Sequence, residues 1–140
     1  MDNESLKRMA LAVLDTEAQA IGALRRSIDD RFVAACRCLL DCQGRIVVTG
    51  MGKSGHIAGK IAATLASTGS PAFFLHPAEA SHGDIGTLSR QDVVIAISNS
   101  GETPEILCIL PIIKRMGLPV IGLTGNPGST IARAATVHID

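Results

Sequence analysis

The stretch RIVVTGMGKSG, residues 45–55, decides the fold of this chain. A β-like apolar run comes first, and the glycines and serine after it lead into an apolar stretch with helical spacing. A strand, a small-residue loop and a helix N-terminus form the unit with which α/β sheets hold anions, because free N–H groups and the helix dipole converge there. Residues 93–103, VVIAISNSGET, repeat this order. Two such loops predict one phosphate held from two sides, and therefore a phosphorylated small molecule as the ligand.

The rest of the 140-residue chain alternates between strand and helix patterns. Two amphipathic helices are predicted first, at 3–28 and 30–42, followed by strands at 45–50, 71–75, 92–98, 119–124 and 136–139 with helices at 54–68, 103–116 and 128–135. This order predicts one domain, residues 1–140, in which helices at 1–44 precede a sheet core at 45–140. The alternation is typical of a doubly wound, parallel α/β sheet with its sites beyond the carboxyl ends of the strands.

Three local features qualify this pattern. Pro111 lies inside a predicted helix and is expected to kink or loosen it. The connection 76–91 is too long for an ordinary turn, and long loops of this kind are often functional. No helix follows the strand at 136–139, so we expect a partner or a further piece of chain to cover that edge.

Composition excludes several classes of protein. The formal net charge is zero, and Trp and Tyr are absent, which disfavours a nucleic-acid partner. The sequence contains neither an apolar run of membrane-spanning length nor a signal peptide, so no membrane partner is expected. The four cysteines form no Cys-x-x-Cys pair. They predict reduced thiols in a cytoplasmic protein rather than a metal cluster.

Two nucleotide motifs match the first loop only in part. Gly50, Gly52 and Gly55 have the spacing of the dinucleotide fingerprint. The acidic residue expected after the second strand is missing, because Leu75-His76-Pro77 stands there, which disfavours a dinucleotide site. The glycine that a nucleoside-triphosphate loop requires would fall at Val47, so that interpretation fails on spacing.

The second loop, residues 98–103, is rich in neutral hydrogen-bond donors. Three hydroxyls and several backbone N–H groups lie within six residues, which suits a compact phosphate monoester. A Ser/Gly turn of this kind could instead serve only as a helix cap. With the first loop on a neighbouring strand, the phosphate interpretation is favoured.

Lys53, His82 and Glu105 are the candidate chemical groups. Each also has a plain structural interpretation: a histidine can be packed or solvated, and an acid is favoured at a helix N-terminus. Together with the two predicted phosphate-binding loops, these three side chains suit proton transfer on a sugar phosphate. An aldose–ketose isomerase needs a base, donors for the developing enediolate, and an acid or base that opens the ring. That chemistry requires neither a redox cofactor nor a metal. His138 is interpreted as structural.

At several motifs the chain resembles the sugar isomerase (SIS) domain family, as found in bacterial D-arabinose 5-phosphate isomerases. The motifs are VTGMGKSGH at 48–56, STGSP at 67–71, HPAEA at 76–80, HGD at 82–84 and AISNSGE at 96–102. The resemblance extends from about residue 40 to the end. It implies a flavodoxin-like sheet, a tetramer, and interconversion of D-ribulose 5-phosphate and D-arabinose 5-phosphate for synthesis of the octulosonate sugar Kdo, used in lipopolysaccharide or capsule.

The resemblance also implies site residues. Lys53, His82 and Glu105 match catalytic positions, and His76 matches a substrate contact that can also take an inhibitory zinc. The implied sugar and phosphate contacts are Gly52, Ser54, Gly69, Ser70, Ser98, Asn99, Ser100, Gly101 and Thr103.

The chain departs from the family pattern at its end. The family continues with a closing helix that carries another glutamate, a later histidine and often two CBS domains, none of which is in this sequence. The base could therefore be Glu105 or that downstream glutamate. A non-catalytic sugar-phosphate-binding module, and an isomerase for a hexosamine or heptose phosphate, are the alternatives.

Overall fold

A computed structural model describes residues 2–140 of the chain. The helices are α1 (Asn3–Ala23), α2 (Asp30–Leu40), α3 (Gly52–Ser67), α4 (Pro77–Ser81), α5 (Pro104–Arg115) and α6 (Thr130–Ala134). The strands are β1 (Ile46–Gly50), β2 (Ala72–Phe74), β3 (Val93–Ile97), β4 (Val120–Leu123) and β5 (Val137–Ile139).

The five strands form one parallel sheet in the order β2-β1-β3-β4-β5. The predicted flavodoxin-like, doubly wound architecture is therefore confirmed, with helices before the sheet and on both of its faces. The strand order reverses between β1 and β3, where Gly50 is in register with Ile97. Ligands of open α/β sheets bind at such a switch point, beyond the carboxyl ends of the strands.

Side chains alternate along each strand and bury two separate apolar layers. Val47, Val94 and Val120 face the layer that contains Ile106, Ile109 and Ile113 of α5. Val48, Ile95 and Ile121 face the opposite layer, which contains Ala35 of α2 with Ala58 and Ala62 of α3. Strands buried on both faces are expected to be continuously apolar, as these are.

The first loop depends on the close approach of α3 to the end of β1. A Cβ atom at Gly55 would lie 2.7 Å from the carbonyl oxygen of Gly50, and one at Gly50 would lie 2.8 Å from the carbonyl oxygen of Ser54. Neither position has room for a side chain. The two glycines therefore let the N-terminus of α3 begin directly at the sheet edge.

Helix α1 buries none of its side chains against the rest of the described chain. None of its residues is buried, and its large apolar side chains, from Leu6 to Ile21, are 52–68% exposed. An apolar surface of this extent marks an interaction site. None of the helices in residues 2–140 is both long and apolar enough to cross a membrane.

The first predicted helix is shorter than its apolar spacing indicated. It ends at Ala23 and continues as a 3₁₀ turn over Leu24–Ser27. The side chain of Asp29 accepts hydrogen bonds from the N–H groups of Arg31 and Phe32, so it caps α2. An N-cap has extended backbone, which forces the chain out of helical geometry before residue 30.

The structure also bears on three other expectations. The last strand, β5, has cover on its face, because α2 packs against it and α6 also contacts it, whereas its outer edge is unpaired within residues 2–140. Sequence order concealed this contact, since α2 precedes the whole sheet. The long connection 76–91 contains α4 and a 3₁₀ turn at Asp84–Thr87. Helix α5 continues through Pro111, which lies on its exposed side.

Candidate functional site

The two small-residue loops lie side by side at the switch point. Loop 1 (residues 50–55) leaves β1 and loop 2 (residues 98–103) leaves β3, its paired neighbour. Ser54 and Asn99 line the same open cavity of about 430 Å³. Helices α3 and α5 begin at this edge, at Gly52 and Pro104. The first N–H groups of α3 have no helical partner, whereas α5 offers only the Glu105 N–H, because proline has none and the next two after Glu105 donate to the Thr103 carbonyl. The arrangement can bind an anion between the loops.

Hydroxyl groups organise loop 2 from inside. The Ser98 Oγ lies 2.7 Å from the Thr103 Oγ1 and accepts a hydrogen bond of 3.0 Å from the Gly101 N–H. Ser98 is 2% exposed, whereas Ser100 and Asn99 are exposed. The Ser100 Oγ accepts a hydrogen bond from the Glu102 N–H at 3.2 Å. Ser98 therefore shapes the loop, and Ser100 offers its hydroxyl at the surface.

A third loop, residues 124–129, supports loop 2 from the other side. The Asn99 carbonyl accepts a hydrogen bond of 2.9 Å from the Gly125 N–H, and the Gly101 carbonyl accepts one of 3.1 Å from the Ile131 N–H. Gly101 has a φ of +67°, and a Cβ atom there would lie 2.0 Å from the Ser129 Oγ. Both the backbone conformation and the close contact require glycine at this position.

Sequence reasoning missed the third loop. Its sequence, TGNPGS, follows an apolar strand in the same way as loops 1 and 2 do. Its role as a support depends on long-range contacts with loop 2, and those follow from the pairing of β3 with β4. The sequence pattern therefore marked a third small-residue loop, but it did not reveal that this loop supports loop 2.

The three candidate chemical groups lie on segments that follow strands β1, β2 and β3. Lys53 is exposed in the first turn of α3, Glu105 is half-buried in the first turn of α5, and exposed His82 ends α4. Helix α4 packs against α5, which sets the His82 segment beside the Glu105 helix. Within residues 2–140, none of these side chains is tied up in an ion pair or hydrogen bond.

His76 lies at the start of α4, next to loop 1. It lines a cavity of about 300 Å³ together with His56, Phe74 and the loop glycines. Its Nδ1 is buried and has no hydrogen-bond partner within the described chain. An unpartnered buried nitrogen is costly, so it marks a place where a ligand or water can bind. His56 was not identified as a candidate, although it stands in the loop 1 motif.

Gly69 and Ser70 are not brought to this site within one chain. They follow α3 and line a cavity with Gly44, Ile46 and Pro71 at the amino edge of the sheet. The length of β1 separates that edge from loop 1, about 16 Å for five residues. Their expected sugar contacts therefore find no support in the placement of these residues.

Metal binding at His76 finds no set of three ligands in the described residues. Within residues 2–140, no group of three or more His, Cys, Asp or Glu side chains is arranged to hold a metal ion. No step of the chemistry below therefore passes through zinc.

Comparisons with known proteins agree with this geometry. The model of the SIS domain family matches residues 39–140. The chain is 56% identical over 131 residues to the arabinose 5-phosphate isomerase KdsD of Pseudomonas aeruginosa, and 54% identical over 127 residues to KdsD of Escherichia coli K12. These matches cover 94% and 91% of this chain, but only 40% and 39% of the relatives.

A solved structure shows the same fold with a ligand. It is an Escherichia coli CFT073 protein in complex with arabinose 5-phosphate, with a TM-score of 0.94 and 43% identity. The match covers all of this chain and 74% of that one. The chain thus spans about 40% of the length of the curated relatives that it matches.

Proposed function

Since this chain belongs to the SIS domain family, we propose that it interconverts D-ribulose 5-phosphate and D-arabinose 5-phosphate. The observation that carries the proposal is the pairing of loops 1 and 2 at the switch point, with Ser54 and Asn99 in one cavity. The similarity to KdsD proteins and to the complex with arabinose 5-phosphate supports the choice of sugar.

The proposed phosphate site uses neutral donors. Hydroxyls of Ser54, Ser100 and Thr103, the first N–H groups of α3 and the Glu105 N–H of α5 offer hydrogen bonds to a dianionic monoester. A phosphate at two helix N-termini is favoured by both helix dipoles. The sugar would then extend toward the side chains that follow the same strands.

The proposed reaction is a proton transfer between adjacent carbons. A base takes the C2 proton of the open-chain aldose, and the electron pair left behind forms the C1=C2 bond while charge moves to O1. Return of a proton to C1, with loss of the O2 proton and protonation of O1, gives the ketose. No atom is gained or lost, so no external reductant or oxidant is needed.

Three side chains are proposed for these steps. Glu105 is the candidate base, the Lys53 ammonium stabilises the negative charge of the enediolate, and His82 assists ring opening. In this scheme Glu105 stands in the first turn of the helix that also holds the phosphate. A glutamate further along the protein is the alternative base, which would leave Glu105 to position a sugar hydroxyl.

Further parts of the proposal concern the setting of the reaction. We propose a homo-tetramer that uses the apolar face of α1, a cytoplasmic location, and a product that feeds Kdo synthesis. The name of the KdsD relatives supports the last point.

A substrate panel tests the proposal. Isomerisation is measured with pentose, hexosamine and heptose phosphates, and the binding of each sugar is measured by calorimetry. Turnover of D-arabinose 5-phosphate above the other sugars supports the proposed function. Binding without turnover would favour the sugar-phosphate-binding module, and turnover of another sugar would replace the substrate.

A further inference from the structure

Glu102 joins loop 2 to the third loop through its side chain. Its carboxylate accepts a hydrogen bond of 2.6 Å from the backbone N–H of Thr130, the first residue of α6. Its own N–H donates to the Ser100 Oγ at 3.2 Å. One residue thus connects the exposed hydroxyl of loop 2 with a helix that belongs to a different strand connection.

The neighbourhood of this carboxylate compensates its charge. The Thr130 hydrogen bond lowers the pKa of Glu102 below its ordinary value of 4.5, and the nearby Arg133 acts in the same direction. The Arg133 guanidinium is held in turn by the Gly128 carbonyl and the Thr130 hydroxyl. A carboxylate beside an anion site would otherwise repel a phosphate. Here it is directed at a helix N-terminus and a cation.

Backbone hydrogen bonds near Glu102 also join loop 2 to the third loop and α6. The Asn99 carbonyl accepts from the Gly125 N–H and the Gly101 carbonyl accepts from the Ile131 N–H, at 2.9 and 3.1 Å. Glu102 adds a side-chain hydrogen bond to these backbone contacts between loop 2 and the segment 125–131, and it lies two residues after Ser100. The orientation of the Ser100 hydroxyl is therefore coupled to α6.

We propose that Glu102 is a positioning residue that holds loop 2 in its ligand-binding shape through the Thr130 N–H. It acts through Ser100 and the loop backbone and does not contact the substrate. The inference rests on the proposed function, because the ligand that loop 2 binds is taken to be a sugar phosphate.

Thr130 permits a matched pair of variants. Proline is tolerated at the first position of a helix, and Ser129 has the extended backbone, φ −74° and ψ 164°, that the residue before proline requires. Thr130→Pro removes the N–H donor, whereas Thr130→Ala keeps it. Both variants lose the contact between the Thr130 hydroxyl and Arg133, so the pair isolates the hydrogen bond to Glu102.

The experiment measures the Kd for D-arabinose 5-phosphate by calorimetry, together with the Tm of each variant. We expect Glu102→Ala and Thr130→Pro each to raise the Kd about five- to tenfold, as the loss of one hydrogen bond of this kind implies. The double variant should be no weaker than either single variant, because both remove the same bond. Glu102→Gln keeps an acceptor and should fall between wild type and Glu102→Ala.

Equal Kd values for Thr130→Ala and Thr130→Pro would overturn the inference, as would additive losses in the double variant. A lower Tm with an unchanged Kd would show that Glu102 has a purely structural role. If wild type does not bind the sugar phosphate, the proposed function fails. The same variants titrated with inorganic phosphate then test Glu102 separately, and no difference among them would reject it.

Discussion

The Ser98 hydroxyl lies 2.7 Å from the Thr103 hydroxyl, inside the loop that joins β3 to α5. Thr103 is the N-cap residue of α5, yet its side chain makes no capping hydrogen bond. It pairs with Ser98 instead, while Ser98 also accepts from the Gly101 N–H. The hydroxyl that looks like a cap in the sequence is thus part of the loop framework.

This relationship separates the effects of two serine substitutions. Ser98→Ala removes the partner of the Thr103 hydroxyl and one of the two acceptors of the Gly101 N–H, which keeps its bond to the Ser98 carbonyl. It should therefore lower both the stability and the affinity for the sugar phosphate. Ser100→Ala should lower affinity with little change in Tm. Each lost hydrogen bond is worth about 0.5–1.5 kcal/mol, and more where the phosphate charge assists it. Calorimetry and thermal melts check both, and equal affinity of wild type for the unphosphorylated sugar would contradict the phosphate site.

Gly101→Ala should be much more damaging than an alanine at another left-handed glycine. At Gly117, φ is +77° and a Cβ atom meets nothing within 4 Å, so Gly117→Ala reports the backbone strain alone, about 1–2 kcal/mol. At Gly101 the same strain is joined by the clash with Ser129. Chemical unfolding and calorimetry should show a larger loss of stability and a weaker ligand affinity for Gly101→Ala. Equal effects of the two substitutions would contradict the docking of loop 2 on the third loop.

Glu105→Gln should separate binding from proton transfer. The substitution keeps the shape of the side chain and removes its basicity, so solvent exchange of the substrate C2 or C1 proton should fall by about two to four orders of magnitude. The Kd should stay the same. Deuterium incorporation followed by NMR measures the exchange, with Asp15→Asn on the polar side of exposed α1 as the control for charge.

Either of two other results would reassign Glu105. Unchanged exchange in the Glu105→Gln variant would place the base elsewhere in the protein. Loss of both exchange and binding would make Glu105 a residue that positions the sugar.

Asp92 should give the fold an acid-dependent component of stability. It is buried at the amino edge of the sheet, and burial raises its pKa. Hydrogen bonds from the Ser89 and Arg45 N–H groups and from the Ser89 hydroxyl, together with the Arg45 charge, lower the pKa by more than burial raises it. The net pKa lies below the ordinary value of 3.8. Its contribution is therefore complete above that value and is lost as the pH falls through the lowered pKa.

Asp92→Asn tests this component. The variant should lose about 1–3 kcal/mol of unfolding free energy at pH 7, because one of the two oxygens that accept hydrogen bonds from Arg45 and Ser89 becomes an amide nitrogen. The difference from wild type should shrink as the pH falls below about 4. Urea unfolding at several pH values measures both curves, and parallel curves would rule out this role for Asp92.

The exposed apolar face of α1 predicts association between copies of the chain. Light scattering at micromolar concentration should give the mass of a dimer or tetramer, because a surface of this kind is stable only when it is covered. Met9→Glu combined with Val13→Glu should shift the mass to that of a monomer. Gln19→Glu, on the polar side of α1, is the matched control. A monomer for wild type would contradict the prediction.

The sheet could be predicted from local pattern because its strands are buried on both faces. The apolar runs at 46–50 and 93–97 have no polar interruption beyond Thr49, and small-residue loops mark the carboxyl end of each. The C-terminal end of α1 and the helix that packs against β5 could not be predicted in this way. They depend on the Asp29 cap and on α2 packing against a strand about a hundred residues later in the chain.

The sequence by itself determined the parallel α/β sheet and the two small-residue loops after β1 and β3, since the alternation of strand and helix patterns is typical of that fold and loop composition is local. The tertiary structure supplied the order of the strands and therefore the position of the switch point. Only the tertiary structure decided how those loops are used. It buried Ser98 and exposed Ser100, placed Gly69 at the opposite edge, and brought Glu102 to Thr130, 28 positions away. Such contacts join segments that are distant along the chain, so their energies depend on the packing of whole elements rather than on any local run of residues.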